Sequence, residues 1–357
     1  MAHVAARAGV SGQTVSRVVN ASPRVDPATR ARVEAAMAEL GYRPHRAARA
    51  LRTGRTQTLG LVVSTLASVG NSRMLQAVAD AAALRGYALT VVTLGADADV
   101  ATAFERLAEQ GVDGAIVLNE ATERVREADL PAAGLRLVVV DAPQDDRFGP
   151  MPSSSPVPPF SPVPPFSPVP PFSPVPPFSI VETDHAAGAR SAVEHLLALG
   201  HQTVHHLAGP AGSFAAAERE RGWRETLAEA GAAAPPLVRG DWTSASGFAA
   251  ASALLDGGAT AVFAANDQMA LGLLRAVAES GRAVPGDVSV VGFDDVADAA
   301  DYRPPLTTVR QDFDTLGGRA VAVLVEGIEA GATVAFETVP THLVVRGSTA
   351  PAPSPGR

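Results

Sequence analysis

Apolar positions in this chain recur with two periods, and the change from one to the other divides it. In the first 43 residues the period is helical: "HVAARAGV" sets Val4, Ala5, Ala8 and Val10 on one face and breaks at Gly9. Ser11 can cap a second helix, "GQTVSRVVN", whose apolar stripe is Val15, Val18 and Val19. Asp26 followed by Pro27 is a start signal for a third, with Val33, Ala36, Met37 and Leu40 at helical spacing and a stop at Gly41. Three short helices, the second following a tight Gly-containing turn, make a helix-turn-helix pattern.

From Thr58 the pattern changes to short β-branched runs. "TLGLVVS", "ALTVVTL", "DGAIVL" and "RLVVVDA" form a first series, with helical segments predicted at 72–85 and 99–110. "SIVETD", "TVHHLAG", "TAVFAAND" and "VSVVGFDD" form a second, separated by Ala- and Leu-rich helices. Such alternation predicts an α/β body of doubly wound parallel sheets in two similar lobes. A cleft between them would receive the residues at the strand ends.

Asp141, Asn266, Asp267 and Asp294 stand at such ends, and Arg219 and Trp242 lie in the flanking segments "AERERGW" and "GDWTSASGF". Carboxylates, an amide, a guanidinium fork and a flat indole suit the hydroxyls and apolar face of a sugar. A strand-end Asp or Asn can equally do no more than cap the next helix, and Asn266 before "DQMALGLLRAV" fits that role. Trp223 reads as plain core.

Between the two series the hexamer SPVPPF repeats four times, from Ser155 to Phe178. Half of each unit is Pro, which excludes helix and central strand. Loop closure costs only about 0.6 kcal/mol more per doubling of length, so the fold should tolerate the insertion. The repeat reads as a passenger loop beside the cleft; a Pro-rich ligand for a partner is the functional alternative.

Charge sharpens this division. Net charge is −8, yet residues 1–57 hold ten Arg against Asp26, Glu34 and Glu39, leaving a head at +7 and a body at −15. A basic head on an acidic body suggests a polyanion contact confined to the head. Gln13, Thr14, Ser16, Arg17 and Asn20 occupy the exposed face of the second helix; amides and Arg read base edges, while Ser and Thr more often hold phosphates.

Several function classes fall away. No Gly-x-Gly-x-x-Gly, P-loop or Gly-x-Ser-x-Gly elbow is present, so the chain reads as a non-enzyme with no cofactor. The absence of Cys excludes thiolate metal sites, and His195, His201, His205 and His206 lack metal-ligand spacing. No run spans a membrane and no signal peptide is visible, which sets a cytoplasmic expectation.

"VAARAGVSGQTVSRVVN", "VDPATRARVEAAMAELGYRPHRAARALRTGRTQTLGLV", "GDWTSASGF" and "VSVVGFDDVADAADYRPPLTTVRQDF" resemble the LacI/GalR family of bacterial transcription regulators. The resemblance implies a periplasmic-binding-protein-like body behind the headpiece. It places the helix-turn-helix at 1–43, a hinge helix at 44–56 and an effector-binding, dimerising core at 57–347. Lobe 1 would take about 57–183 and 310–340, and lobe 2 about 184–309 and 341–347. The insertion would span 148–178, with a disordered tail at 348–357. DNA contacts are implied for Ser11, Gly12, Gln13, Thr14, Ser16, Arg17, Asn20, Arg24, Thr29, His45, Ala48 and Leu51, the last as a minor-groove wedge. Effector contacts are implied for Asp141, Ser213, Arg219, Trp242, Asn266, Gln268, Asp294 and Phe313, with Ser68 and Asn71 from lobe 1.

Departures from the family are also visible. Gly12 stands where a member of the family has a large aromatic, and Asn119 falls one place beyond the family's pocket amide, where Leu118 stands. The family's first helix starts earlier, behind a Thr, so a start upstream of Met1 is expected. A leucine-rich tetramer-forming tail is not seen, so the expected partners are a second copy of the chain, a near-palindromic operator DNA and a small sugar, with no membrane. The expected function is a repressor whose operator affinity is lowered by a galactoside or related β-glycoside. The alternatives are activation by a corepressor and a non-regulatory sugar-binding protein.

Overall fold

The computed structural model describes residues 1–19, 22–42, 54–95, 100–119, 121–122, 135–142, 178–331 and 334–353. Asn20, the hinge residues His45, Ala48 and Leu51, and the repeat up to residue 177 lie outside this set. Two units are distinguished, Met1–Gln57 and Thr58–Arg357.

The first unit is helical. α1 (Ala2–Ala8) ends at Gly9, which takes the left-handed conformation that its missing Cβ permits. α2 (Gly12–Val19) and α3 (Pro27–Glu39) follow, the latter capped by the Asp26 carboxylate, which accepts the Thr29 N–H at 2.9 Å. Val4, Ala5, Ala8, Val15, Val18, Val33 and Ala36 form its small core. Leu40 does not join them and is 45% exposed. The chain turns at Gly41 and the Tyr42 N–H returns to the Met37 carbonyl, so Tyr42 packs on the core in its place.

Two six-stranded sheets build the second unit. Lobe 1 contains β1 (Thr58–Val63), α4 (Val69–Leu84), β2 (Ala88–Thr93), α5 (Val100–Glu109), β3 (Gly114–Leu118), β4 (Arg136–Val140) and β5 (Phe178–Thr183). Lobe 2 contains α6 (His185–Ala198), β6 (His205–Ala208), α7 (Phe214–Glu229), β7 (Val238–Arg239), α8 (Ser244–Asp256), β8 (Ala261–Ala264), α9 (Asp267–Glu279), β9 (Ser289–Asp294) and β10 (Thr307–Arg310). The chain then returns to lobe 1 for α10 (Phe313–Ala330) and β11 (Phe336–Val339), and ends in lobe 2 with β12 (His342–Val344). The strand orders are β11-β5-β4-β3-β1-β2 and β12-β10-β9-β8-β6-β7. Among the described residues all pairings are parallel apart from β10 with β12.

Two sequence expectations need correction. "SIVETD" does not open the second series: it is β5, paired with β4 in the first sheet, with Leu137 opposite Phe178 and Val140 opposite Val181. Strands β7, β10, β11 and β12 were not expected, because they are two to four residues long and mostly polar or edge-placed. Thr307 and Thr308 in β10 are fully buried, which a reading of apolar runs cannot anticipate.

The expected disordered tail is also corrected, over 348–353. Ser348 is fully buried; its hydroxyl donates to the Val290 carbonyl at 2.6 Å and accepts the Thr307 N–H at 2.8 Å. The Ala352 N–H then reaches the Leu199 carbonyl at 2.9 Å. These bonds bind the segment to lobe 2 although its composition is that of a loop.

The lobes are joined by three strands of chain, at residues 184, 311–312 and 340–341, between successive elements. The crossings are tied together: the Asp184 N–H donates to the Val339 carbonyl, and the Thr341 hydroxyl to the Asp184 carbonyl. α10 packs closely on α4, where a Cβ on Gly317 would meet that of Ala77 at 2.7 Å.

Candidate functional site

A cleft opens where these crossings pass between the sheets. Ser68, Asn71, Asn119, Asp141 and Phe313 line it from lobe 1, and Ser213, Arg219, Trp242, Asn266 and Asp294 from lobe 2, with His185 and Gln311 at the crossings. The backbone is unusual there. Among the described residues six non-Gly positions have positive φ, and four of them line the cleft: Asn119 (46°), Asp141 (54°), Trp242 (74°) and Asp294 (111°). Asn and Asp enter this region at modest cost, whereas Trp does not, and such conformations cluster at binding sites.

Each lobe 2 side chain is held by the protein. The Arg219 guanidinium donates to the Ala265 carbonyl, lies 3.8 Å from the Phe293 ring centroid, and approaches Asp294 Oδ1 at 3.6 Å. Asn266 caps the next helix, as its place before it suggested, and also ties down the cleft wall. Its Oδ1 accepts the Met269 N–H at 3.0 Å and caps α9, while its Nδ2 donates to the Trp242 carbonyl at 3.0 Å. The Trp242 indole rests on Gly209, where a Cβ would come within 2.2 Å of the ring. Ser213 and Ser68 cap α7 and α4, accepting the N–H groups of Ala216 and Asn71.

The Asp294 carboxyl is pushed upward from the ordinary Asp range by burial, against the pull of Arg219 and of Gln311, which donates to it at 2.6 Å. Asp141 accepts the Thr183 N–H at 2.9 Å and faces His185. Buried carboxylates, a planar fork, amides and an indole face can bind a polyhydroxylated ligand with one apolar side.

Nine of the ten expected effector residues line the cleft. The exception is Gln268, whose side-chain oxygen instead accepts a hydrogen bond from Asn266 at 3.2 Å. Asp267 also departs from its strand-end expectation. It points inward to accept the Thr308 hydroxyl and the Val296 N–H, and burial beside Asp294 raises its carboxyl well above the usual range. Leu118 is buried in the lobe 1 core, and Asn119 supplies an amide to the cleft wall.

Sequence reasoning passed over His185 and Gln311, which sit beside or on crossings that only the fold brings to the cleft. It noted Asn119 only as one place off the family's pocket amide, although Asn119 follows an apolar strand as Asp141 does and lines the cleft. The four clustered histidines pack instead of gathering. His195 and His201 bond Thr349 and Thr260, and His206 stacks on Phe263 with burial pushing it down to about 4. Among the described residues no group of three His, Asp or Glu could hold a metal ion.

In the headpiece unit, Gln13 and Arg17 are exposed on α2, and Thr14 and Ser16 are half-buried. Ser11 caps α2 by accepting the Thr14 N–H at 3.1 Å. Gly12 opens α2 on an uncrowded surface, where a Cβ would meet nothing within 4 Å. Arg24 is exposed, and Thr29 sits in the first turn of α3.

Residues 1–45 match the lacI family of bacterial regulatory proteins, and residues 193–349 match the periplasmic binding protein-like domain. The lactose operon repressor of Escherichia coli (strain K12) is 37% identical over 97% of this chain and 89% of its own length. The chain belongs to the LacI family. The HTH-type transcriptional regulator CelR of Thermobifida fusca is 36% identical over 97% of this chain and 96% of its own. A lac repressor dimer solved with operator and the anti-inducer ONPF superposes with a TM-score of 0.78 at 34% identity, covering 97% of this chain and 98% of that one. A CelR–cellobiose complex gives 0.67 at 34% identity, with the same coverage. These relatives are transcription regulators, and this chain is a regulator and not an enzyme. Among the described residues no helix is long and apolar enough to cross a membrane.

Proposed function

We propose that this regulator is a cytoplasmic, homodimeric repressor that binds a near-palindromic operator and is released from it by a small sugar, a galactoside or related β-glycoside. The observation that carries the reading is the set of buried polar side chains drawn from both lobes onto one cleft at the crossings. A ligand touching Asp141 and Asn71 on one side and Arg219 and Asp294 on the other binds best at one lobe spacing. Operator DNA and sugar then favour different arrangements of one molecule, and each weakens the other by the same factor.

The headpiece would read DNA through Gln13 and Arg17 in the major groove, with Ser11, Thr14, Ser16, Arg24 and Thr29 toward phosphates. The hinge residues His45, Ala48 and Leu51 belong to the same reading. The test is a thermal-shift screen of mono- and disaccharides, followed by fluorescence-anisotropy measurement of operator release with each hit. A sugar that tightens operator binding would replace induction with corepression. Arg17→Ala should cost about 1–3 kcal/mol of operator affinity and relax its sequence preference. Unchanged selectivity would remove α2 as the reading helix.

A further inference from the structure

Two polar atoms of opposite sense in the cleft are left unanswered by the protein, and neither belongs to the ten expected effector residues. The first is His185 Nε2. The ring is only 1% exposed, set between Phe214 and Phe293, with Arg219 Nε and Nη2 each 3.4 Å from its Nδ1. A guanidinium has donors only, so Nδ1 must accept and the ring proton must sit on Nε2. That N–H lies 3.3 Å from Asp141 Oδ1 but makes no hydrogen bond to it or to any other atom.

The second is Asn119 Oδ1. Asn71 Nδ2 donates to the Thr65 carbonyl at 2.9 Å, which orients that amide and leaves its Oδ1 to accept from Asn119 Nδ2. The relay runs one way. Its donations end on the Thr65 carbonyl, and at the other end Asn119 Oδ1 is left as an open acceptor, buried and without a partner. A φ of 46° at Asn119 holds the side chain in this place. Buried polar atoms are nearly always hydrogen-bonded, and exceptions call for a reason. A donor and an acceptor, both orphaned and both lining one cleft, have a ligand as their natural partner.

We propose that His185 and Asn119 are effector-contacting residues: His185 Nε2–H donates to, and Asn119 Oδ1 accepts from, hydroxyl groups of the effector. This rests on the cleft being the effector site. It adds that the ligand carries hydroxyls where it meets these two residues, so a deoxy analogue lacking them is rejected. His185 therefore has two tasks, holding Arg219 through Nδ1 and reading the ligand through Nε2.

Amide substitutions separate those tasks. His185→Asn places a side-chain amide near the Nδ1 position and removes the donor at Nε2; His185→Gln places an amide donor near Nε2. Asn119→Gly keeps the positive φ and deletes the amide. The full chain and each variant would be titrated calorimetrically with lactose, cellobiose and ribose, with melting temperature and sugar-free operator affinity measured alongside.

For whichever sugar binds the parent chain, His185→Asn and Asn119→Gly should each weaken binding about tenfold or more, and His185→Gln by no more than about threefold. Sugar-free operator affinity should stay unchanged in all three. Equal affinity in the parent and both loss variants would overturn the proposal and leave the effector cleft standing. So would His185→Gln binding as weakly as His185→Asn, since His185 would then act through Arg219 alone. If no sugar binds the parent chain, the sugar-effector reading itself falls and this assignment with it. Should His185→Asn melt too low to titrate, Asn119→Gly decides the question.

Discussion

The two walls of the cleft are built differently. On the lobe 2 side almost every polar atom has a partner before a ligand arrives: Arg219 on Ala265 and Phe293, Asn266 on Met269 and Trp242, Asp294 on Gln311. On the lobe 1 side the ties are fewer, and the amide relay from Thr65 through Asn71 ends at an unanswered oxygen on Asn119. A preorganised wall supplies affinity because little ordering remains to be done on binding. A wall with open valences responds to whether the lobes have closed around the ligand. If the cleft is the effector site, the difference predicts that lobe 2 supplies the larger part of the affinity.

The largest effect should follow from disturbing the preorganised wall. Asp294→Asn should lower sugar affinity about 100-fold, roughly 3 kcal/mol, by removing a charged acceptor from a buried site. Thermal stability should change less, because an amide oxygen at this place can still accept from Gln311 and face Arg219. Calorimetric titration beside a melting curve checks both, and unchanged affinity would break the assignment of lobe 2 as the anchoring wall.

The second prediction concerns pH. Lobe 2 also holds most of the buried titratable groups, whereas the lobe 1 core is largely aliphatic. His206 is depressed from 6.5 to about 4, so between those values the unfolded chain binds a proton that the folded chain does not. Its contribution is therefore present above about pH 6.5 and is lost as pH falls, by about 2–3 kcal/mol at the lower end. The raised Asp267 works in the opposite sense, losing stability as pH rises through its own range. His206→Phe keeps the stack on Phe263 and isolates the histidine: urea melts at pH 7 and pH 4.5 should differ less in the variant than in the parent. An equal difference would remove His206 as the source.

Smaller effects sharpen the contrast. Trp242→Ala removes the indole that rests on Gly209 and should weaken sugar binding by about 1–2 kcal/mol, read by the same titration. Ser68→Ala removes the cap of α4, where Ser68 Oγ accepts the Asn71 N–H at 3.3 Å. It should cost about 1 kcal/mol of stability, seen as a lower midpoint in urea, with a loss of sugar affinity smaller than that of Asp294→Asn. A larger affinity loss from Ser68→Ala would invert the roles of the two walls.

Much of the site was legible in the sequence because doubly wound sheets deliver strand-end residues to one edge, so Asp141, Asn266 and Asp294 follow from the ends of apolar runs. The same rule placed Asp267 wrongly. It stands one residue beyond Asn266, and the first turn of α9 rotates it inward to Thr308. His185 carries no local signal: its neighbours are Asp184 and two alanines, and its importance arises from Arg219, which lies 34 residues away along the chain.

Local periodicity, capping residues and charge segregation therefore determined, without coordinates, a basic three-helix head, a two-series α/β body and the residue types at the strand ends. These properties depend on neighbours within a few positions, where hydrogen-bond geometry and the alternation of faces are fixed by short-range sterics. Tertiary structure alone decided that β5 joins the first sheet between β4 and β11, that 348–353 bind to lobe 2, and that His185 meets Arg219 and Asp141. Those outcomes depend on pairing between distant segments, which the contacts of the folded body select and no window of sequence encodes.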